Sequence, residues 1–404
     1  MVPCGILSGI AALMIGGNAI ALAQGSASNA ARPARDRRVC AAQPAARLIN
    51  WRLEPAKVLE EVDRSLTLLE QIVHRAGQAG CDVLVLPEDT MGVLHWEMGN
   101  AERMNQVLPE AVTRMLTRLG KVAASYRMYL VCSSDVAEQD GSYRNAAFLL
   151  GRDGREIGRY YKVNLPLQES GRKRGDHFPV FETPDLGGVG MLICYDMVMP
   201  EATRSLALGG ADIVFVPTMG GAAFGERDMS RAAFRTRAVD NFIYLVVSHR
   251  GGGAMIISPQ GKVLAEGKEP NDIVMADINP FAGREGGDAL NSQTDMRARL
   301  FRERNPAAYG ILTDPNPPVL KKVPETTTPE EAARVGAQAL TIGEERFREA
   351  EALLNSGKTA DAIAAFEKLR AGFPRTWIDR VSRQRLEKIR GSATDQLPQS
   401  STPR

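Results

Sequence analysis

Three side chains able to act together on a carbonyl carbon stand at the ends of three apolar runs. The first run, Val189 to Ile193, stops at the thiol of Cys194, and a helix-like segment opens at Glu201. A strand that turns sharply towards a helix holds a side chain out at the sheet edge. A thiol there is a candidate nucleophile, because turn amides and a helix N-terminus can favour thiolate and bind a developing oxyanion. The competing expectation is an inert buried Cys, the commoner fate of an isolated thiol after a strand. Two further runs weigh against inertness: Cys81 to Pro87 delivers the carboxylate of Glu88, and Arg159 to Tyr161 delivers Lys162. Open α/β sheets carry their chemistry in the crevice beyond the strand C-termini, so the three groups are expected to converge there.

Taken together and in this order, Leu86-Pro87-Glu88, Tyr161-Lys162-Val163-Asn164-Leu165-Pro166 and Ile193-Cys194-Tyr195-Asp196 with Pro200-Glu201 resemble the nitrilase superfamily of carbon–nitrogen hydrolases. The resemblance spans about Arg38 to Lys322. It implies an α/β fold of a particular kind, an αββα sandwich, usually paired into homodimers through an outer helical layer. It also implies a catalytic set of Glu88, Lys162 and Cys194 with no cofactor. A thiol of ordinary pKa, about 8.5, needs a base at neutral pH. Glu88 is expected to serve, then to pass its proton to the departing amine and activate water against a thioester. Lys162 and the Tyr195 backbone N–H are the expected oxyanion partners. Glu169 falls where many family amidases carry a second Glu that positions substrate and supports the Lys.

Two departures narrow the substrate. Met197 and Val198 stand where relatives that clamp a substrate carboxylate carry Arg, and Tyr195-Asp196 stand where true nitrilases usually have Trp-Glu. A small amide is therefore the expected substrate. The alternatives are an N-acyltransferase using the same three groups, and a non-catalytic scaffold that binds a protein partner through its C-terminal helices. A Cys–His hydrolase finds no supporting context around His74, His95, His177 or His249.

With 50 Lys and Arg against 48 Asp and Glu, the near-balanced charge points to neither nucleic acid nor an anionic membrane. Short basic clusters such as Arg172 to Arg174 read as solvated loops. No His/Cys/Asp cluster has metal-ligand spacing, and the glycines at 187, 188 and 190 precede their strand, unlike a dinucleotide fingerprint. Of the five cysteines, Cys40, Cys81 and Cys132 read as buried small hydrophobes, although a bridge between two of them stays open in an oxidising compartment.

The elements that must position these groups follow from periodicity. Residues 1–23, apolar from Gly5 and ending Ala21-Leu22-Ala23, read as a signal peptide for export, with an uncleaved membrane anchor as the alternative. Residues 24–37 read as a linker and 38–322 as the hydrolase domain. Within it, strands are expected near 39–43, 83–86, 128–132, 145–150, 156–161, 189–193, 213–217, 242–248, 254–258 and 262–265. Helices are expected near 55–79, 110–124, 201–208 and 226–240. Loops 91–100 and 220–227 are the expected pocket walls. Residues 323–342 read as a helical connection. Residues 343–390 read as a tetratricopeptide-like helical hairpin with a capping helix from Trp377 to Ile389, a small all-α extension. Residues 391–404 read as a disordered tail.

Overall fold

Strand β1 (Arg37–Gln43) shows how two apolar layers arise from one chain. Val39 and Ala41 enter one cluster, and Cys40 and Ala42 another, because successive side chains of an extended chain face opposite ways. A strand apolar on both faces must be covered on both. In this computed structural model, which describes residues 36–45, 47–219, 227–250, 252–283, 285–286 and 294–394, helices provide that cover. The expected signal segment, the linker up to residue 35, and residues 395–404 lie outside the described residues.

After β1 come α1 (Pro55–Gln78), β2 (Val83–Val85), α2 (Leu94–Gly99), α3 (Leu108–Ser125), β3 (Tyr129–Ala137), β4 (Tyr143–Leu150) and β5 (Glu156–Tyr161). The second half runs β6 (Val180–Thr183), β7 (Gly187–Met191), α4 (Pro200–Leu208), β8 (Ile213–Thr218), α5 (Arg227–Asn241), β9 (Tyr244–His249), β10 (Met255–Ile257), β11 (Val263–Glu266) and β12 (Asp272–Ile278). One six-stranded sheet has the order β12-β1-β2-β3-β4-β5, and a second has the order β11-β10-β9-β8-β7-β6. Val83, Val85 and Val131 of the first sheet share a cluster with Val189, Val214 and Val246 of the second. Leu84, Leu130 and Cys132 face the other way, onto α1 and α3. Ala202 and Leu206 of α4 and Phe234 and Ala238 of α5 cover the second sheet. The result is the αββα sandwich that the resemblance implies.

The strands missed in the sequence are edges. Strands β6 and β12 close the two sheets, and their mostly half-exposed side chains leave no apolar run to recognise. The expected pocket loop 91–100 contains α2, held by the buried Trp96.

Helix α1 buries Val58, Val62, Leu66, Leu69, Ile72 and Val73, the face expected from helical spacing. It stops at Gly80, whose φ of +75° suits glycine. There the Gly80 N–H donates to Gly77 O at 3.0 Å and the Cys81 N–H to Ala76 O at 3.1 Å. This cap delivers Cys81 onto the outer face of the first sheet, where Cys40 points, and the two form a disulfide. The expectation of three buried thiols is corrected: of the three, Cys132 alone stays a free, buried Cys.

Beyond the sandwich the chain is helical: α6 (Met296–Glu303), α7 (Pro329–Gln338), α8 (Glu344–Asn355), α9 (Thr359–Gly372) and α10 (Trp377–Thr394). The last three bury Ala350, Ala362, Phe366, Leu369, Ile378 and Leu386 in a core of their own. Helix α10 runs to Thr394, past the expected end at Ile389. Among the described residues no helix is long and apolar enough to cross a membrane.

The disulfide joins residues 41 apart, a loop long enough for the bridge to contribute about 4 kcal/mol by restricting the unfolded chain. Urea denaturation of Cys81→Ser is expected to show a loss of roughly 2–4 kcal/mol. An unchanged midpoint would argue against the bridge.

Candidate active site

Glu88 and Lys162 follow β2 and β5 of the first sheet, and Cys194 follows β7 of the second, so the two sheets bring the three together. Lys162 Nζ donates to Glu88 Oε1 at 3.0 Å and to the two Glu169 oxygens at 3.1 and 2.9 Å. The Cys194 thiol lies close enough to Glu88 and Lys162 for both charges to act on it, with Thr218 at the end of β8 beside it. Glu88 also accepts from Asn145 Nδ2 at 2.9 Å and from the Met219 N–H at 3.2 Å. Glu88 is 3% exposed and Lys162 1%, so these bonds replace nearly all of their hydration.

Cys194 has a φ of +43°, a left-handed conformation unusual for a residue with a Cβ, and it opens a 3-10 turn from Cys194 to Val198. Such a conformation costs on the order of 1–3 kcal/mol and persists only where its surroundings over-determine it. Asp196 supplies that constraint. Its buried carboxylate accepts from the Ile193 N–H at 3.0 Å, Tyr160 OH at 2.7 Å, the Asn164 N–H at 2.8 Å and Asn164 Nδ2 at 3.0 Å. The backbone before Cys194 is thereby tied to residues on both sides of Lys162. The Tyr195 N–H lies in the first turn of the 3-10 segment, where no intrahelical acceptor exists.

Burial pushes the Cys194 thiol up to about 12, the Glu88 charge adds to the rise, and Lys162 opposes it. Burial also works against the Lys162 ammonium, but Glu169 and Glu88 more than offset it and hold the pKa well above the ordinary value. Burial works against the Glu88 carboxylate too, yet the charge of Lys162, bonds from Lys162 and Asn145 and the nearby Cys194 thiol bring it below the usual range. Burial lifts Glu169 above that range despite Lys162. At neutral pH the resting site therefore pairs a protonated thiol with a charged Glu88 and a charged Lys162. Burial and the Glu88 charge thus outweigh the turn and the helix N-terminus that were expected to favour thiolate.

The sequence profile of the carbon–nitrogen hydrolase family matches residues 39–284, more than half of the chain. The chain belongs to that family. A nitrilase of Pyrococcus abyssi is 31% identical over 266 residues, covering 62% of this hydrolase and 94% of the relative. A deaminated glutathione amidase of Synechocystis sp. is 28% identical over 235 residues, covering 52% and 84%. Among solved structures, an amidase from Nesterenkonia sp. superposes with a TM-score of 0.52 at 25% identity, covering 67% of this chain and 97% of that one.

Several residues that hold the hydrolase site were not read from the sequence. Arg250 Nη2 donates to Glu88 O at 3.2 Å, Asp89 O at 2.8 Å and the Asp89 carboxylate at 2.6 Å, fixing the segment that carries the acid. Arg172, expected in a solvated basic cluster, is instead buried, with Asp135 and Glu97 as ion-pair partners. Burial and the neighbouring Asp135 hold Glu97 well above the usual carboxylate range. A lone polar residue such as Asn145 inside an otherwise apolar strand was the available signal, but its partner is distant in sequence. His74 pairs with Tyr126, His95 with Glu344, His177 with Asp176, and His249 with the Arg250 carbonyl.

Volume does not mark this site. A cavity of about 440 Å³ between α1 and the segment after β2 is lined by Leu69, Ile72, Arg75, Asp89 and Arg250, and by none of Glu88, Lys162 and Cys194. One of about 10 Å³, room for about one water, touches Glu88, Glu97, Asp135, Asn145 and Glu169. Most of the expected pocket wall 220–227 lies outside the described residues.

Removing Lys162 leaves two buried carboxylates without their counter-ion. Lys162→Met is expected to lose about 3–5 kcal/mol of folding stability at pH 7.5. With the ammonium gone, the folded-state pKa values of Glu88 and Glu169 rise above the unfolded ones, so the loss is full at high pH and shrinks as pH falls through them. Urea titrations at pH 7.5 and 5 check the sign. A deficit that grows on acidification would refute the ion-pair account.

Proposed function

We propose that this carbon–nitrogen hydrolase cleaves a small amide through a thioester on Cys194. The observation that carries the reading is the buried Lys162 held between Glu88 and Glu169, with the Cys194 thiol close enough to feel both Glu88 and Lys162. Since the thiol rests protonated, Glu88 takes its proton as sulfur attacks the carbonyl carbon. The oxyanion forms beside Lys162, with the Tyr195 N–H as second donor. Glu88 then gives the proton to the nitrogen as the C–N bond breaks, and the amine leaves a thioester. Water, deprotonated by Glu88, attacks that carbonyl; the C–S bond breaks, and sulfur recovers the proton as the acid departs. Glu169 orients Lys162 throughout.

Screening small amides, carbamoyl compounds and nitriles for ammonia release tests this reading. An active amide should lose essentially all turnover in Cys194→Ala. In Glu88→Gln the rate at pH 7 should fall on the order of 100- to 10,000-fold, recovering partly as rising pH forms thiolate directly. Undiminished turnover without the sulfur would end the proposal. Adding hydroxylamine separates the two fates of the acyl group: ammonia without hydroxamate supports hydrolysis, and predominant hydroxamate supports transfer to an amine.

We also propose export, with residues 1–23 as a cleaved signal. The Cys40–Cys81 disulfide supports it, because such bonds persist in oxidising compartments and are rare in the cytosol. Protein recovered from periplasm or medium is expected to begin at Gln24. A membrane-bound chain retaining Met1 would favour the anchor, and a cytosolic one would overturn export.

A further inference from the structure

Glu169 sits on a single 3-10 turn, Leu167–Glu169, whose cap makes no side-chain hydrogen bond. A lone turn of this kind has little stability of its own, so its position depends on what packs against it. What packs against it is α7, from beyond the residues matched by the family profile, 39–284. Gly336 of α7 lies directly on Gln168: a Cβ at Gly336 would stand 2.6 Å from Gln168 Cβ. Next to Glu169, Ser170 Oγ donates to Pro329 O at 3.1 Å.

The same segment reaches the other wall of the site. The π turn Ala339–Gly343 that follows α7 packs on α2, and at its end Glu344 Oε2 meets the buried His95 Nε2 of α2 at 2.5 Å. Arg52 and the neighbouring Glu345 form an ion pair. Helix α2 in turn carries Glu97, which pairs at 3.1 Å with Arg172, three residues beyond Glu169. The contacts close a ring: Glu169 turn, α7, Glu344, His95, Glu97, Arg172 and back to the turn.

We propose that residues 329–344 of the C-terminal extension are a positioning element of the active site. Through Gly336, Pro329 and Glu344 they hold the turn bearing Glu169 and the helix bearing Glu97 in register with Lys162. None of these residues reaches the reacting atoms; they act through Glu169, which fixes the ammonium. The inference rests on the amidase reading of the site, and it deepens it.

The test uses full-length protein. In Gly336→Leu the new side chain forms helix more readily than glycine, so α7 persists and the turn must yield. A displacement of about 1 Å at a positioning group can cost up to about 100-fold, so kcat is expected to fall roughly 10- to 100-fold, with KM and the melting temperature little changed. Gly336→Ala should fall in between, and adding Gln168→Gly to it should restore kcat to that of Gln168→Gly alone. Gly372→Leu in α9, where an added Cβ meets nothing within 4 Å, should match the wild type. The rate of Cys194 alkylation by iodoacetamide, read by peptide mass, should slow in Gly336→Leu and stay unchanged in Gly372→Leu.

A folded Gly336→Leu with wild-type kcat and alkylation rate would overturn the proposal. So would an equal loss in Gly372→Leu. If Gly336→Leu does not fold, Gly336→Ala and its Gln168→Gly rescue carry the test, and failure of the rescue counts against it. A wild type that hydrolyses no amide while alkylation still depends on Gly336 would sink the amidase reading and leave this one standing.

Discussion

A single ammonium buried between two carboxylates governs how the rest of this protein must be built. Lys162 has no water to fall back on, so its charge is tolerable only while Glu88 and Glu169 stay within hydrogen-bonding distance. The arrangement carries one more negative group than positive. Burial, with the Glu88 charge adding to it, lifts Glu169 above the ordinary carboxylate range and keeps the thiol protonated. The same burial that makes the site costly to fold also sets its resting protonation, with a charged Glu88 beside a Cys194 thiol that still holds its proton.

Holding these groups requires both sheets. Glu88 follows a central strand of one sheet, Lys162 follows its edge strand, and Cys194 follows a strand of the other sheet. Asp196 spans the join, accepting hydrogen bonds from the backbone before Cys194 and from Tyr160 and Asn164 around Lys162. Its position two residues after Cys194 gives it a structural reason to be acidic: four donors converge on it in a buried place. The strained φ of Cys194 is affordable because this clamp leaves the corner no alternative.

The C-terminal region divides by what it packs on. Helices α8 to α10 bury their apolar faces among themselves, around Phe366 and Leu369. Helix α7 instead packs on the Glu169 turn, and the π turn after it joins α2 to the core of the last three helices. A short turn with few contacts of its own gains definition from such cover, which links a segment far along the chain to the geometry of the buried ammonium.

The linear order of residues determined the α/β alternation and set Glu88, Lys162 and Cys194 at the ends of apolar runs, while the αββα plan was implied by the family resemblance. Period-two and period-3.6 patterns are local properties, and each reactive group directly follows a run whose pattern is unambiguous, as Cys194 follows Val189 to Ile193. The edge strands β6 and β12 escaped because edges are half solvated and lose the apolar signature. The Cys40–Cys81 bridge, the burial of Arg172 with Asp135 and Glu97, the clamp at Asp196 and the seat of Gly336 on Gln168 were decided by tertiary structure alone. Each depends on partners dozens to hundreds of residues apart, and no local pattern records which distant side chain will share a buried place. The protonation of Cys194 belongs with them, because a thiol's pKa follows from the charges and the dryness around it, which only the folded chain creates.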